Sequence, residues 1–161
     1  MSRVGRSSSR SAARLAAVQA LYQQEMEGLP VARLLKEFHD HRLGAMIEDA
    51  QYVEAERSFF DDIVIGVQAR REQIDAAIEA KLASGWTLER LDRPMRAILR
   101  CGAYELLARD DVPVGSVISE YVDVAHAFYD KRESGFVNGL LDAIAKEARA
   151  QGEGTRPAPA R

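Results

Sequence analysis

Phe136, Val137, Leu140, Leu141 and Ile144 recur at i, i+1, i+4, i+5 and i+8, which is one face of an α-helix and not an alternating strand. The same stretch contains Asn138-Gly139, a pair that local turn rules assign to a hairpin or loop. The two signals conflict, and the longer-range apolar period decides for helix. A glycine inside a helix costs about 1 kcal/mol relative to alanine. The spacing therefore predicts that Gly139 lets a neighbouring helix approach closely.

The rest of the chain repeats the helical period. A first helix is expected over residues 11–27, with Leu15, Val18, Tyr22 and Met26 on one face, stopped by Gly28 and Pro30. A second follows over 31–41 with Leu34, Leu35 and Phe38. Residues 42–54 show no clear pattern. A long helix is expected over 56–83, carrying Phe59, Phe60, Ile63, Val67, Ile74 and Ile78 and ended by Ser84-Gly85. Residues 87–91 read as a helical turn or two. Asp92 then has the position of an N-cap, with Pro94 tolerated in the first turn behind it. That helix carries Met95, Ile98, Leu99, Gly102 and Leu106 as far as Asp110-Asp111. The next starts at Pro113 or Val114 with Val117, Ile118, Tyr121, Val124 and Phe128 inward, and the last spans 133–149. No sustained alternating pattern and no internal repeat occurs, so the fold class is all-α. The Ser/Arg/Gly-rich residues 1–9 read as a disordered basic arm and residues 151–161 as a flexible tail, leaving 10–150 as one domain.

Charge is distributed unevenly. The net charge is −3, yet residues 1–14 hold Arg3, Arg6, Arg10 and Arg14 and no acid, so the remainder carries −7. A basic arm on an acidic body points to an anionic partner for the arm. No uninterrupted apolar run approaches the length of a membrane span. The N-terminal charges have no apolar core behind them, which is not the pattern of a secretory signal. The single Cys101 cannot form an internal disulfide, and beside Gly102 in an apolar helix it reads as core.

Catalytic chemistry finds little support. His39 and His41, two residues apart, point to different sides of a helix and have no third ligand nearby, so no metal site is expected. His126 has no evident nucleophile to serve. There is no phosphate loop, nucleophile elbow or zincin motif. Asp61-Asp62 and Asp110-Asp111 read as helix-surface or capping groups. The expectation is a binding protein without cofactor, not an enzyme. Arg10 and Arg14 fall around the first turn of the first helix, where a cation is disfavoured by up to about 1 kcal/mol. An external phosphate would reverse that sign by accepting from both guanidinium and free backbone N–H groups. Pairing of either arginine with an acid elsewhere on the fold is the alternative.

Three segments, Val18-Gln-Ala-Leu-Tyr22, Leu99-Arg-Cys-Gly-Ala-Tyr-Glu-Leu106 with Asp111-Val-Pro113, and Phe136-Val-Asn-Gly-Leu-Leu-Asp142, resemble the NusB family of transcription antitermination factors in kind, order and spacing over roughly residues 10–148. The resemblance implies an N-terminal three-helix lobe packed on a larger C-terminal helical lobe, divided near residues 84–85. It implies a bacterial cytoplasmic protein that binds boxA-like single-stranded RNA of ribosomal RNA operons together with the ribosomal protein NusE. Through that complex it would act indirectly on the RNA polymerase elongation complex and suppress premature termination. Whether the free protein is a homodimer stays open.

Site residues follow from the resemblance. The arm (Arg3, Arg6, Arg10 and Arg14) would meet phosphates. Gln19 would meet a base edge. Lys131 and Arg132 would extend the basic surface. Phe136 would stack on a base, although core packing explains it equally well. Tyr22 and Met95 would face the protein partner, and for Tyr22 an ordinary core role is the equal alternative. Two other classes compete. NusB-like domains also precede RNA cytosine methyltransferases, but 161 residues leave no room for a further catalytic domain of roughly 200. A helical adaptor without RNA affinity would leave the arginines idle.

Overall fold

The computed structural model describes the backbone of residues 3–41 and 50–154, and the side chains of residues 9–40 and 56–149. Among these residues there are seven α-helices and no strand: α1 (Arg3–Glu27), α2 (Val31–His41), α3 (Ala50–Ala69), α4 (Arg71–Glu79), α5 (Arg93–Ala108), α6 (Val114–Phe128) and α7 (Lys131–Gly154). A 3₁₀ turn, Leu88–Arg90, precedes α5. No described helix is long and apolar enough to cross a membrane.

Helix α5 is the axis of the fold. Nearly every residue from Met95 to Leu106 is buried, and α1, α3, α4, α6 and α7 all pack on it. Its start is built as the sequence predicts: Asp92 accepts a hydrogen bond from the Met95 backbone N–H at 3.2 Å, and Pro94 occupies the first turn. Its end is closed from a distance. The Arg149 guanidinium on α7 donates to the carbonyls of Leu106, Arg109 and Val112 at 3.0–3.1 Å, satisfying acceptors that a helix C-terminus leaves open. On α1, Ala13, Ala16, Ala17 and Ala20 are buried, and these small side chains let α3 lie close against it.

Several boundaries differ from the sequence expectation. The long helix expected over 56–83 breaks at Arg70, whose backbone (φ −113°, ψ 21°) leaves helical geometry, and the second piece ends at Glu79. No proline or glycine marks position 70. The break accompanies a shift of partners, since α3 packs chiefly on α1 and also on α5, whereas α4 packs on α5 and touches α7. At the N-terminus, α1 is already helical from Arg3, so the arm expected to be disordered continues the first helix from that residue on. Serine and arginine at these positions do not prevent helix, and no proline intervenes. Helix α7 likewise extends past Arg149 to Gly154, into the expected tail, whose residues 155–161 lie outside the described part. The unpatterned residues 50–54 belong to α3, while 42–49 lie outside it. Phe128, expected inward, is exposed at the end of α6.

Gly139 is the clearest correction. It lies inside α7, as the apolar period requires, and Val137, Leu140, Leu141 and Ile144 are buried. Yet a Cβ built there would meet nothing within 4 Å, so no helix approaches it. The close approach belongs to Gly102 of α5, where a Cβ would lie 2.8 Å and 3.0 Å from the methyl carbons of Leu141. A second one, unforeseen, is Gly66 of α3, over which the Tyr104 ring lies 2.2 Å from where a Cβ would be. The cost of Gly139 buys no contact. Replacing Gly139 by Ala should raise stability in urea unfolding by up to about 1 kcal/mol. Gly102→Ala, which presses on Leu141, should lower it by about 1–3 kcal/mol; the opposite ordering would contradict this packing.

Candidate functional site

The candidate residues separate into three places, set by which end and which face of the helices they occupy. The first is at the C-terminal end of α5. Arg14 is 3% exposed and forks onto Glu105, itself 0% exposed, through Nε to Oε2 and Nη2 to Oε1, both at 2.9 Å. The Tyr121 hydroxyl donates to the same carboxylate from α6. Glu120 stands 3.6 Å from Arg14 Nη1 and accepts from the Ser11 hydroxyl at 2.9 Å. Burial alone would lower the Arg14 pKa, but the hydrogen bond and negative charge of Glu105 outweigh it and the net shift is upward. Burial, followed by the charge of Glu105, pushes the Tyr121 phenol well up. Arg14 is therefore a core residue and not the phosphate contact expected of it: its charge is already committed inside the protein.

Arg10 differs. Its guanidinium lies 4.7 Å from the centre of the Phe59 ring, beside those of Arg14 at 4.9 Å and Arg109 at 5.0 Å. Each such contact contributes about 0.5–2 kcal/mol depending on exposure. Arg109 is fixed by Asp62 at 2.9 Å and by two bonds of 2.8–2.9 Å to Asp111. Those hydrogen bonds hold the Asp111 carboxyl down to about 2. Tyr104 donates to Asp62 at 2.8 Å, and burial together with that bond pushes its phenol up to about 12. Arg10 makes no hydrogen bond to a carboxylate among the described residues, although its charge adds to the attraction that holds Asp111 ionised. The side chains of Arg3 and Arg6 lie outside the described part.

The second place is at the opposite end of α5, roughly 21 Å away at 1.5 Å per residue. Gly85 (φ +87°) turns the chain so that Trp86 stands at the surface, 49% exposed, with the Arg90 guanidinium 5.1 Å from its ring. Across from it the head of α7 presents Lys131, Arg132 and Phe136. Between them runs a groove of about 650 Å³ with Leu82, Leu91 and Met95 among its lining. Phe136 is 39% exposed and lines the groove, so part of its ring is open to solvent. Lys131 and Arg132 are exposed and form no ion pair among the described residues. Met95 is buried, 5% exposed, so it lines the groove more than it offers a free surface. Tyr129 donates to Asp92, joining the approach to α7 to the start of α5. The sequence reading missed Trp86, Arg90 and Tyr129. A sole tryptophan next to a glycine, off every helical face, was the available signal.

The third place is the outer stripe of α1: Gln19, Tyr22, Gln23 and Met26, spaced at i, i+3, i+4 and i+7. Tyr22 is half-buried and packed against the core, while Met26 is exposed. Arg93 reaches the Met26 sulfur at 3.4 Å and Arg96 pairs with Glu25, so this stripe adjoins the start of α5. Gln19 points about 180° away from Arg10 around the helix, at 100° per residue. The two cannot touch the same short piece of a ligand.

The remaining sequence candidates have structural partners. His39 Nε2 lies 2.6 Å from Asp61 Oδ1, His126 Nδ1 is 3.1 Å from the Ser134 hydroxyl, and Cys101 is buried, with its thiol pKa pushed up by that burial. The side chain of His41 lies outside the described residues.

The model of the NusB family matches residues 11–146. The transcription antitermination protein NusB of Sphingopyxis alaskensis is 72% identical over 89% of this chain and 97% of its own length. That of Novosphingobium aromaticivorans is 66% identical over 87% and 95%. Among solved structures, NusB of T. maritima superposes with a TM-score of 0.72 at 31% identity, covering 89% of this chain and 96% of that one. A complex of antitermination factors NusB and NusE with dsRNA gives 0.69 at 28%, covering 86% and 97%.

The buried pair has a measurable consequence. Arg14→Met would leave the Glu105 carboxylate enclosed with only the Tyr121 hydroxyl, and should destabilise the fold by about 3–5 kcal/mol in urea unfolding. A loss below about 1 kcal/mol would mean that Arg14 is solvated in solution.

Proposed function

This chain belongs to the NusB family, and from that premise we propose how its surfaces divide the work. It is a transcription antitermination factor with RNA and NusE as partners. In our reading it acts in the cytoplasm by recognition and not by catalysis, holding boxA-like RNA near the polymerase in company with NusE. The RNA solved with the NusB–NusE relative is double-stranded. We assign a single-stranded target here, because unpaired bases can splay out and stack whereas the grooves of an RNA duplex hide their edges. The observation that carries this assignment is the head of α7: two cations with no ion pair among the described residues, beside an exposed phenylalanine on the rim of a groove.

The RNA strand would run from this groove towards the basic beginning of α1, where Arg10, with Arg3 and Arg6, takes phosphates. Arg14 has no part in it. Gln19 goes with Tyr22 and Met26 on the stripe that we assign to NusE, next to the start of α5. The domain reading keeps residues 10–150 as one RNA-binding unit.

Fluorescence anisotropy of labelled boxA RNA, with and without NusE, tests the division. With about four phosphates neutralised, log K against log salt should have a slope of about −3, at roughly −0.7 per single-strand phosphate. Replacing Lys131 and Arg132 together by Ala should flatten it by about 1.4. An unchanged slope would remove the α7 head from the phosphate path. For the partner face, Met26→Asp, at an exposed position, and Tyr22→Asp should both weaken NusE binding while leaving the RNA slope of the chain alone unaltered. Normal NusE affinity in both folded variants would place the partner elsewhere.

A further inference from the structure

We propose that the groove between the 3₁₀ turn and the head of α7 seats one unpaired base bearing an exocyclic amino group. Trp86 and Phe136 form its aromatic walls and Glu133 accepts from the amino edge. The proposal rests on the RNA reading above and deepens it by naming what the groove selects. Two large aromatic side chains from different elements line one groove while remaining about half exposed. Such surfaces suit a flat π-system, and stacking tolerates any base. Arg90, over the Trp86 ring, and Arg132, on the opposite wall, supply cations for the flanking phosphates.

Selectivity comes from Glu133. It lines the same groove, and its Oε2 is closed off from solvent with no hydrogen-bond partner among the described residues. An enclosed acceptor without a donor is costly, so turning the carboxylate into the groove to meet a ligand's N–H is favoured. An apolar side chain from a protein partner would fill the walls and leave that oxygen unsatisfied. A carboxylate accepts well from the amino group of cytosine. Uracil, with a carbonyl at the same ring position, would set one acceptor against another.

Trp86 is the only tryptophan of the chain, so its emission reports on the groove directly. The test titrates the full chain with single-stranded boxA RNA, following anisotropy and Trp86 fluorescence together. Stacking should quench Trp86 as the RNA binds. In a scan of abasic substitutions, one position should relieve the quench and weaken binding roughly tenfold, the scale of one stacked base. That same substitution should cost little in Phe136→Ala. At this position an amino-bearing base should bind several-fold tighter than uracil, and Glu133→Ala, with helical content checked by circular dichroism, should erase the preference. RNA that binds with normal salt dependence and leaves Trp86 unchanged would overturn the groove assignment while the RNA reading stands. Emission that responds to NusE and not to RNA would give the groove to the protein partner. Quenching without base preference would overturn the role of Glu133. No RNA binding at all would sink both readings.

Discussion

A carboxylate with no access to water sits near the middle of this protein, and the packing is arranged around keeping it satisfied. Glu105 lies on the helix that touches five others, and its charge is matched by a guanidinium from α1 and a hydroxyl from α6. Such a pair adds little net stability compared with well-packed apolar groups, because desolvation offsets most of the attraction. Its effect is on specificity. Only one placement of α1 against α5 and α6 lets Arg14, Glu105 and Tyr121 meet, so sliding by a turn would strand a charge. Arg100 repeats the device a few residues earlier, donating to Asp75 of α4 at 2.9 Å and 3.2 Å. Arg149 adds a third anchor at the carbonyl end of the same helix.

These anchors explain where the binding features can lie. The flanks of α5 are consumed by packing, so exposed chemistry is left to its two ends. At one end three guanidinium groups crowd a single phenylalanine, and the acids around them commit two of the three. At the other end a capping aspartate joins the start of α5 to Tyr129 and so fixes the angle at which α7 departs. Phe136 and Trp86 line the groove beside that junction. A ligand that reaches both ends must be long and flexible, which fits a nucleic-acid strand better than a small molecule.

Most of the fold was legible because apolar spacing reports burial locally: Val137, Leu140, Leu141 and Ile144 are enclosed as their period required, and Asp92 caps the helix it precedes. The errors share one physical origin, which is that partners distant in sequence leave no local trace. Arg14 and Arg10 look alike along the chain, yet only Arg14 meets Glu105. Gly139 and Gly102 are both helical glycines, and only the position of Leu141 tells them apart. The break at Arg70 coincides with a shift of packing partners, and no proline or glycine stands at that position. Of the residues proposed to bind RNA, the cations and Phe136 at the head of α7 could be named through family resemblance. Trp86 could not, because a residue in a short loop belongs to no periodic face and its neighbours are decided by the fold.

The separation between Arg14 and Glu105 also bears on how the chain comes off the ribosome. Helix α1 carries a cation whose buried partner follows 91 residues later. At roughly 5–20 residues per second, synthesis needs about 5–18 seconds to supply it. Until then α1 can collapse with α2 and α3 through its alanine face, but the arginine must stay hydrated, so that early assembly is provisional. The N-terminal helices are thus held in a reversible association until α5 arrives. Final closure then joins segments far apart in sequence, a step of the slow, non-local kind in an otherwise helical and locally wired protein.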